Sequence, residues 1–326
     1  MSAVVNADRE PIDIVYTWVD GAYPGYPELL AKYSADEHDR NPNRYRDNLE
    51  IFKYSLRSLE RFVPWVGTVH VVTCRPQVPE WMDLSAPNLR IVHHDAIFDP
   101  EDLPSFNSFG IVANLHRVPE VSDRFIYMED DTLFGRSISP EDFVEPDGRI
   151  KVFVKRSVAN DAGEFGDPGH SRWESALAFS NRLLDADYSH RRRGSTHHVP
   201  LFIDKASWRA CAERWHAEFK QTTASRFRGR ANVAPEYLYP WYLVHESLGR
   251  LVPRLERTRM VSYLGLDNHR VVQKLGLALL RLRRTPFCCL NDNFGDEADQ
   301  RVEGWVREHL ESLYPEPSRY ERSDRV

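Results

Sequence analysis

With 326 residues, 41% hydrophobic, 28% charged and 12% aromatic, the chain can bury a large core, and its balance lies far from the low-hydrophobicity, high-charge composition of disordered chains. A net charge of -6 and a pI near 6.1 argue against wholesale nucleic-acid binding. Four cysteines, Cys74, Cys211, Cys288 and Cys289, lack CxxC spacing, so they signal neither a disulfide framework nor a structural zinc site and read as buried thiols.

The leader MSAVVNADREP has no basic segment running into an apolar core, and no stretch reaches the ~20 apolar residues of a membrane span, so the expectation is a soluble cytoplasmic chain. IDIVYTWVDG (12–21) has a strand pattern ending in an Asp-Gly turn. Leu49, Phe52, Leu56, Leu59 and Phe62 recur at helical spacing, and Pro64 closes that helix. GTVHVVT (67–73), LRIVHH (89–94) and the run from Phe125 read as further strands, and their separation by helical or loop-rich stretches predicts a parallel or mixed α/β sheet.

Beyond KVFVKRS (151–157), the Gly/Asp/His-rich stretch 160–172 reads as an insertion or mobile substrate loop. The most basic run, HRRRGSTHH (190–198), is a solvated loop or a phosphate-facing lid. Helices are expected over 205–219 and 236–248, and again over 302–313. The segment 271–287 joins an apolar face to Lys274, Arg281, Arg283 and Arg284. It packs on the core with a basic outer face or rests on an anionic membrane surface.

Chemistry concentrates where FIYM (125–128) drives into Glu129, Asp130 and Asp131. Three adjacent carboxylates at a strand end, where ligands collect in α/β folds, repel one another unless a cation or a ring of donors compensates. The simplest compensated arrangement is a divalent metal holding a phosphorylated substrate; the plain alternative is an acidic turn with Asp130 or Asp131 as helix cap. No GxGxxG follows a strand and no GxxxxGK[ST] occurs, so dinucleotide oxidoreductases and P-loop NTPases have no support.

Taken together, IDIVYTWVDG, RDNLEIFKYSLRSLERFVPWVGTVHVVT, FNSFGIVANLHRVPEVSDRFIYMEDDTLFG, HHVPLFIDK and CLNDN…YPEPSRYE resemble the Stealth family of sugar-phosphate transferases, in order from about Ile12 to Glu321. The resemblance implies a mixed, mostly parallel α/β sheet flanked by helices, in a nucleotide-sugar-transferase (GT-A/Rossmann-like) architecture with helical insertions. It implies one catalytic domain over 1–326: an α/β core over about 10–157, a loop-rich and helical acceptor or lid region over 158–287, and a segment 288–326 returning to the active site.

The activity it implies is transfer of a hexose 1-phosphate from a nucleotide-sugar donor to a saccharide hydroxyl, with magnesium or manganese as divalent metal. Carried over by motif position, Asp130, Asp131, Asn291 and Asp292 are the metal residues, and His198, Arg228 and Asp131 the catalytic ones. Trp18, Asp20 and Gly21 are expected to hold the nucleotide. Arg46, Asn48, Arg57, Asn107, Asn114, His116 and Arg117 supply further donor contacts, with a structural ion pair as the competing reading for His116 and Arg117.

The chain departs from the family pattern at Val112, where relatives carry a glutamate, at Asn232, where an aspartate is usual, and at Glu129, where an asparagine is common. If the missing carboxylates touch sugar or base, the donor or acceptor differs here. Two rivals stay open: a metal-dependent glycosyltransferase that releases a nucleoside diphosphate, and a non-catalytic carbohydrate-binding protein. Peripheral membrane association is a further expectation.

Overall fold

The structure is a computed structural model that describes residues 11–34, 36–41 and 45–322. Its strands, in chain order, are β1 (Asp13–Thr17), β2 (Val69–Thr73), β3 (Leu89–His93), β4 (Arg124–Glu129), β5 (Thr132–Phe134), β6 (Ile150–Val152), β7 (Val154–Val158), β8 (Gly194–Thr196), β9 (Leu201–Asp204), β10 (Gly249–Leu251), β11 (Val261–Leu266) and β12 (Phe287–Asp292). A sheet ordered β3-β2-β1-β4-β9 forms the centre, parallel at every junction except the antiparallel β4/β9 pair. It is the mixed, mostly parallel, helix-flanked sheet that the sequence predicts.

Ile14, Val15 and Tyr16 of β1 are 0% exposed, as are Phe125 and Ile126 of β4, because helices cover both faces of a parallel sheet. A second sheet, ordered β11-β12-β5, stands beside the first. β4 ends at Glu129 in one sheet and β5 begins at Thr132 in the other, so Asp130 and Asp131 form the link between the sheets.

The helix Ile51–Phe62 anchors this seam. The Ser55 hydroxyl bonds Tyr16 Oη at 2.8 Å and the Thr132 carbonyl at 2.5 Å, and the Ser58 hydroxyl accepts from the Phe134 amide at 3.0 Å.

Three expectations are corrected. The stretch 160–172 is no long free loop: it holds a short turn, Ala162–Glu164, and runs into a 17-residue helix, Arg172–Tyr188, started by Ser171 and Glu174 in a capping box. The basic run 190–198 is a solvated loop only over His190, Arg191 and Arg192, which are exposed, because Gly194–Thr196 pairs with β7 and Arg193 is 1% exposed. Its guanidinium donates to Asp185 at 2.6 Å and to the Ser189 and Arg191 carbonyls, which compensates a charge withdrawn from water. The helix expected over 205–219 is two, Lys205–Arg214 and His216–Ala224.

Candidate active site

Strand register assembles the site. Tyr127 lies opposite Leu201 in the antiparallel β4/β9 pair, so the chain entering β9 runs back past the end of β4 and delivers His198 to Glu129. Cys289 lies opposite Thr132 in the β5/β12 pair, and the Leu290 amide donates to the Asp131 carbonyl at 3.0 Å. Alternation along β12 then turns Cys289 and Asn291 toward Asp131 and sends Asp292 to the opposite face.

His198 Nε2 stands 2.8 Å from Glu129 Oε2, and its Nδ1 stands 3.7 Å from Asp131 Oδ2. Cys289 Sγ is 3.4 Å from His198 Nδ1 and donates to Asp131 Oδ2 at 3.4 Å, while the Asn291 amide donates to the same oxygen at 3.1 Å. Tyr263 meets the His198 ring edge-on and donates its hydroxyl to Asn291 Oδ1 at 3.3 Å, fixing that amide.

Burial opposes charging the His198 imidazole, yet Glu129 and Asp131 outweigh it and hold its pKa well above the ordinary histidine value. Burial likewise opposes ionising Asp131, and the hydrogen bond from His198 overcomes that, keeping its pKa low. Asp130 has no such partner: burial, then Asp131, Asp47 and Glu129, drive its pKa well above the carboxylate range. Burial and the facing Asp131 carboxylate also keep the Cys289 thiol protonated.

On the other flank, Pro235 opens the helix Pro235–His245 and puts Glu236 in its first turn. Burial, then Glu129, lifts the Glu236 pKa to about 7, against weaker opposition from Arg228 and His198. Arg228 donates to the Ser108 hydroxyl at 2.5 and 2.9 Å and lies 4.7 Å over the Phe109 ring. The site thus sets a row of acids against one imidazolium and one guanidinium.

Three segments matching Stealth protein conserved regions account for these walls. Residues 44–152 match conserved region 2, 197–245 region 3 and 278–326 region 4, together more than half of the chain. The chain belongs to the Stealth family.

Among its relatives are exopolysaccharide phosphotransferase SCO6023 of Streptomyces coelicolor, 34% identical over 98% of this chain and 53% of that protein, and capsular polysaccharide phosphotransferase SacB of Neisseria meningitidis serogroup A, 27% identical over 95% and 57%. The chain spans about half the length of the curated relatives it matches. Similar solved structures include the galactosyltransferase LgtC with donor and acceptor sugar analogues, at TM-score 0.45 and 13% identity over 94% of this chain and 96% of that one. Another is the bifunctional glycosyltransferase WbbM, at TM-score 0.48 and 9% identity over 97% of this chain and 51% of that one.

Within the Stealth frame, the residues inferred from motif position divide into two groups. Asp130, Asp131, His198 and Asn291 meet at the seam, and Arg228 enters through Glu236. Asp292 does not join Asp131: on the far face of β12 it takes two bonds from Arg46, at 2.5 and 2.8 Å, and accepts from the Phe294 amide. Arg46 is therefore a clamp on the turn after β12 and not a free donor.

Several expected donor contacts are revised. Trp18 is 6% exposed, stacked near Phe52, and donates Nε1–H to Asp47 at 2.8 Å, so no face of the ring is open to a base. Asp20 and Gly21 make a turn, with Asp20 exchanging bonds with Gln77, Asp20 Oδ1 accepting from Ala22, and the Gly21 amide donating to the Tyr45 carbonyl. Asn48 bonds Glu303, and Arg57 clasps Glu321 and the Tyr314 carbonyl.

The stretch FNSFGIVANLHR is also structural. Asn107, 0% exposed, donates to the Thr222 and Ser225 carbonyls and to Asn232 Oδ1, and Asn114 bonds the Gly110 carbonyl and Thr223. Arg117 pairs with Asp99 at 2.7 Å, and burial pushes His116 down to about 4. The family departures fall here as well: Val112 is 0% exposed in the core, and Asn232, 1% exposed, accepts from the Gly229 amide at 2.7 Å. Asn232 thus shapes the loop that carries Arg228.

Residue reasoning missed Cys289 and Glu236 in the site. Cys289 stands two places before the flagged Asn291, which is the same face of a strand. Glu236 is a carboxylate inside the apolar run PEYLYPWYLV, a placement that demands a reason.

The donor set fits a divalent cation. Ligand atoms of Asp131, His198 and Cys289 lie within 4.8 Å of one another, and the facing carboxylates of Asp130, Asp131 and Asp47 create the electrostatic strain that a cation relieves. Asp131 would hold it with a hard oxygen, with His198 and Cys289 as softer neighbours.

Proposed function

We propose that this chain transfers a hexose 1-phosphate from a nucleotide diphosphate sugar, UDP-N-acetylhexosamine-like, to a hydroxyl of a saccharide acceptor. The nucleoside monophosphate leaves and the product is a phosphodiester of a cell-surface or capsular polysaccharide. The observation that carries this reading is the seam itself, where carboxylates, a charged imidazole and an arginine converge from three Stealth regions. In this reading residues 1–326 form one catalytic unit working in the cytoplasm, where nucleotide sugars are made.

Attack at phosphorus gathers negative charge on the oxygens around it, so catalysis rests on positioning and on placed positive charge. A divalent cation bound by Asp131, magnesium or manganese, supplies neutralisation of the diphosphate. Arg228, braced by Ser108 and Phe109, presents its guanidinium to phosphate. Asp131 is one of two carboxylates that keep His198 protonated, so the imidazole would accept the acceptor's hydroxyl proton only where a cation engages the Asp131 charge. Glu129 remains to orient the ring through Nε2. Glu236, close to half protonated near pH 7, offers hydrogen bonds to a sugar hydroxyl.

The test is incubation with a panel of nucleotide sugars and a saccharide acceptor, plus magnesium or manganese, with chromatography of the nucleotide released. A monophosphate is expected; a diphosphate would establish glycosyl transfer instead. His198→Ala is expected to keep its fold and lose ~10²- to 10⁴-fold in turnover. Full turnover by Asp131→Ala would remove the metal assignment.

A further inference from the structure

The helix Arg270–Arg283 buries one side, Gln273, Leu277 and Leu280, and packs against the helix Gln300–Leu313. Its opposite side is also apolar and faces solvent: Val271 is 73% exposed, Val272 57%, Leu275 67%, Leu279 51% and Leu282 82%. At 3.6 residues per turn these five share an arc of about 100°. Clustered exposure of this kind marks a binding face, whereas lone exposed leucines need no account.

The charges choose the occupant. Lys274 and Arg281 line one edge of the arc, beside an Arg270 paired with Asp299, Arg283 lines the other, Arg284 follows, and no acid occurs between 270 and 284 in a chain whose net charge is -6. Arg283 donates to the Thr258 carbonyl at 2.5 Å, tying this end to the helix Arg254–Met260, which adds Arg254, Arg257, Arg259 and a Leu255 that is 66% exposed. A second copy docked on this face would bring two such cationic borders together.

An apolar strip between basic borders is the pattern of a helix lying in a bilayer interface, its leucines among acyl chains and its arginines at anionic headgroups. We infer that this face seats the protein on an anionic lipid surface. No helix among the described residues is long and apolar enough to cross a membrane, so the contact is peripheral.

The inference is independent of the transfer reaction and is tested without it. Purified protein is sedimented with phosphatidylcholine vesicles and with vesicles containing phosphatidylglycerol, at low and high salt. Binding is expected only to the anionic vesicles and is expected to fall with salt. Leu275→Glu with Leu279→Glu, and separately Lys274→Gln with Arg281→Gln, are each expected to weaken binding at least about tenfold at unchanged melting temperature.

Failure of the wild type to bind anionic vesicles overturns the inference, as does equal binding by both variants. So does a dimer, seen by light scattering, that the leucine variant dissolves while vesicles capture neither protein.

Discussion

His198 has Glu129 on one ring nitrogen and Cys289 and Asp131 near the other, so the fate of its proton reports on the whole site. Glu129→Gln removes the largest of the charges that raise its pKa, and the imidazole titration followed by NMR is expected to move down. A raised histidine stabilises the fold below its ordinary pKa and loses that contribution as pH rises through the folded value. Glu129→Gln should therefore destabilise at pH 6 and matter less in alkali; an unmoved titration would remove Glu129 from the network. Asn107 makes the opposite kind of prediction. Truncation to Ala removes the amide shared by the Thr222 and Ser225 carbonyls and Asn232 Oδ1, and the cap on the Phe109 amide, at a cost of about 2 to 3 kcal/mol in denaturant unfolding. Asn232→Asp keeps the oxygen that accepts from Asn107 and Gly229 but loses the amide that donates to the Ser225 hydroxyl and buries a carboxylate, so lower stability with unchanged donor preference is expected in the same assays.

Among the elements, Arg57 shows how a motif residue can serve architecture. Its guanidinium reaches Glu321 at 2.7 Å with both side chains under 10% exposed, at 9% and 8%, fastening the helix Ile51–Phe62 to the returning C-terminal segment. Arg57→Ala leaves the Glu321 charge buried with only the Ser318 amide and hydroxyl to answer it, and a loss of about 3 kcal/mol is expected on thermal or denaturant unfolding. β1, β2 and β4 could be read directly from the residues because strands buried on both faces spell continuous apolar runs. β11 and β12 could not: VSYLGL and FCCLND mix small and polar residues, and their pairing is set by partners far along the chain. The helix Arg172–Tyr188 escaped for a related reason, since its buried side includes Ser175, Ala176, Ala178, Ser180 and Asn181 and gives little apolar periodicity. Asp131, His198, Arg228 and Asn291 were accessible through motif position, whereas the retirement of Asp292, Arg57 and Asn107 to structural work depends on strand faces and on distant partners.

For the molecule as a whole, acidity is stored unevenly. Burial lifts both Glu236 and Asp47 to about 7, so the fold holds protons that the unfolded chain releases from near pH 4 upward. Stability linked to these groups is present below that range and is lost as pH rises toward 7. Buried histidines such as His94 and His116, pushed down to about 4, titrate with the opposite sign, so the total curve is no guide. The difference between wild type and Glu236→Gln isolates the acid: nearly nothing at pH 4, growing to roughly 2 kcal/mol in favour of the variant by pH 8 in denaturant unfolding. A flat difference would place Glu236 in contact with solvent.

The link between the two sheets also limits what kinds of sequence change this protein can absorb. One residue removed just before Cys289 would present Leu290 and Asp292 to Asp131 in place of Cys289 and Asn291, and one added before Cys288 would present Cys288 and Leu290. Changes of length at the rim of this site are therefore tolerated where they leave the seam alone, while the few positions at the seam are fixed in number by strand register.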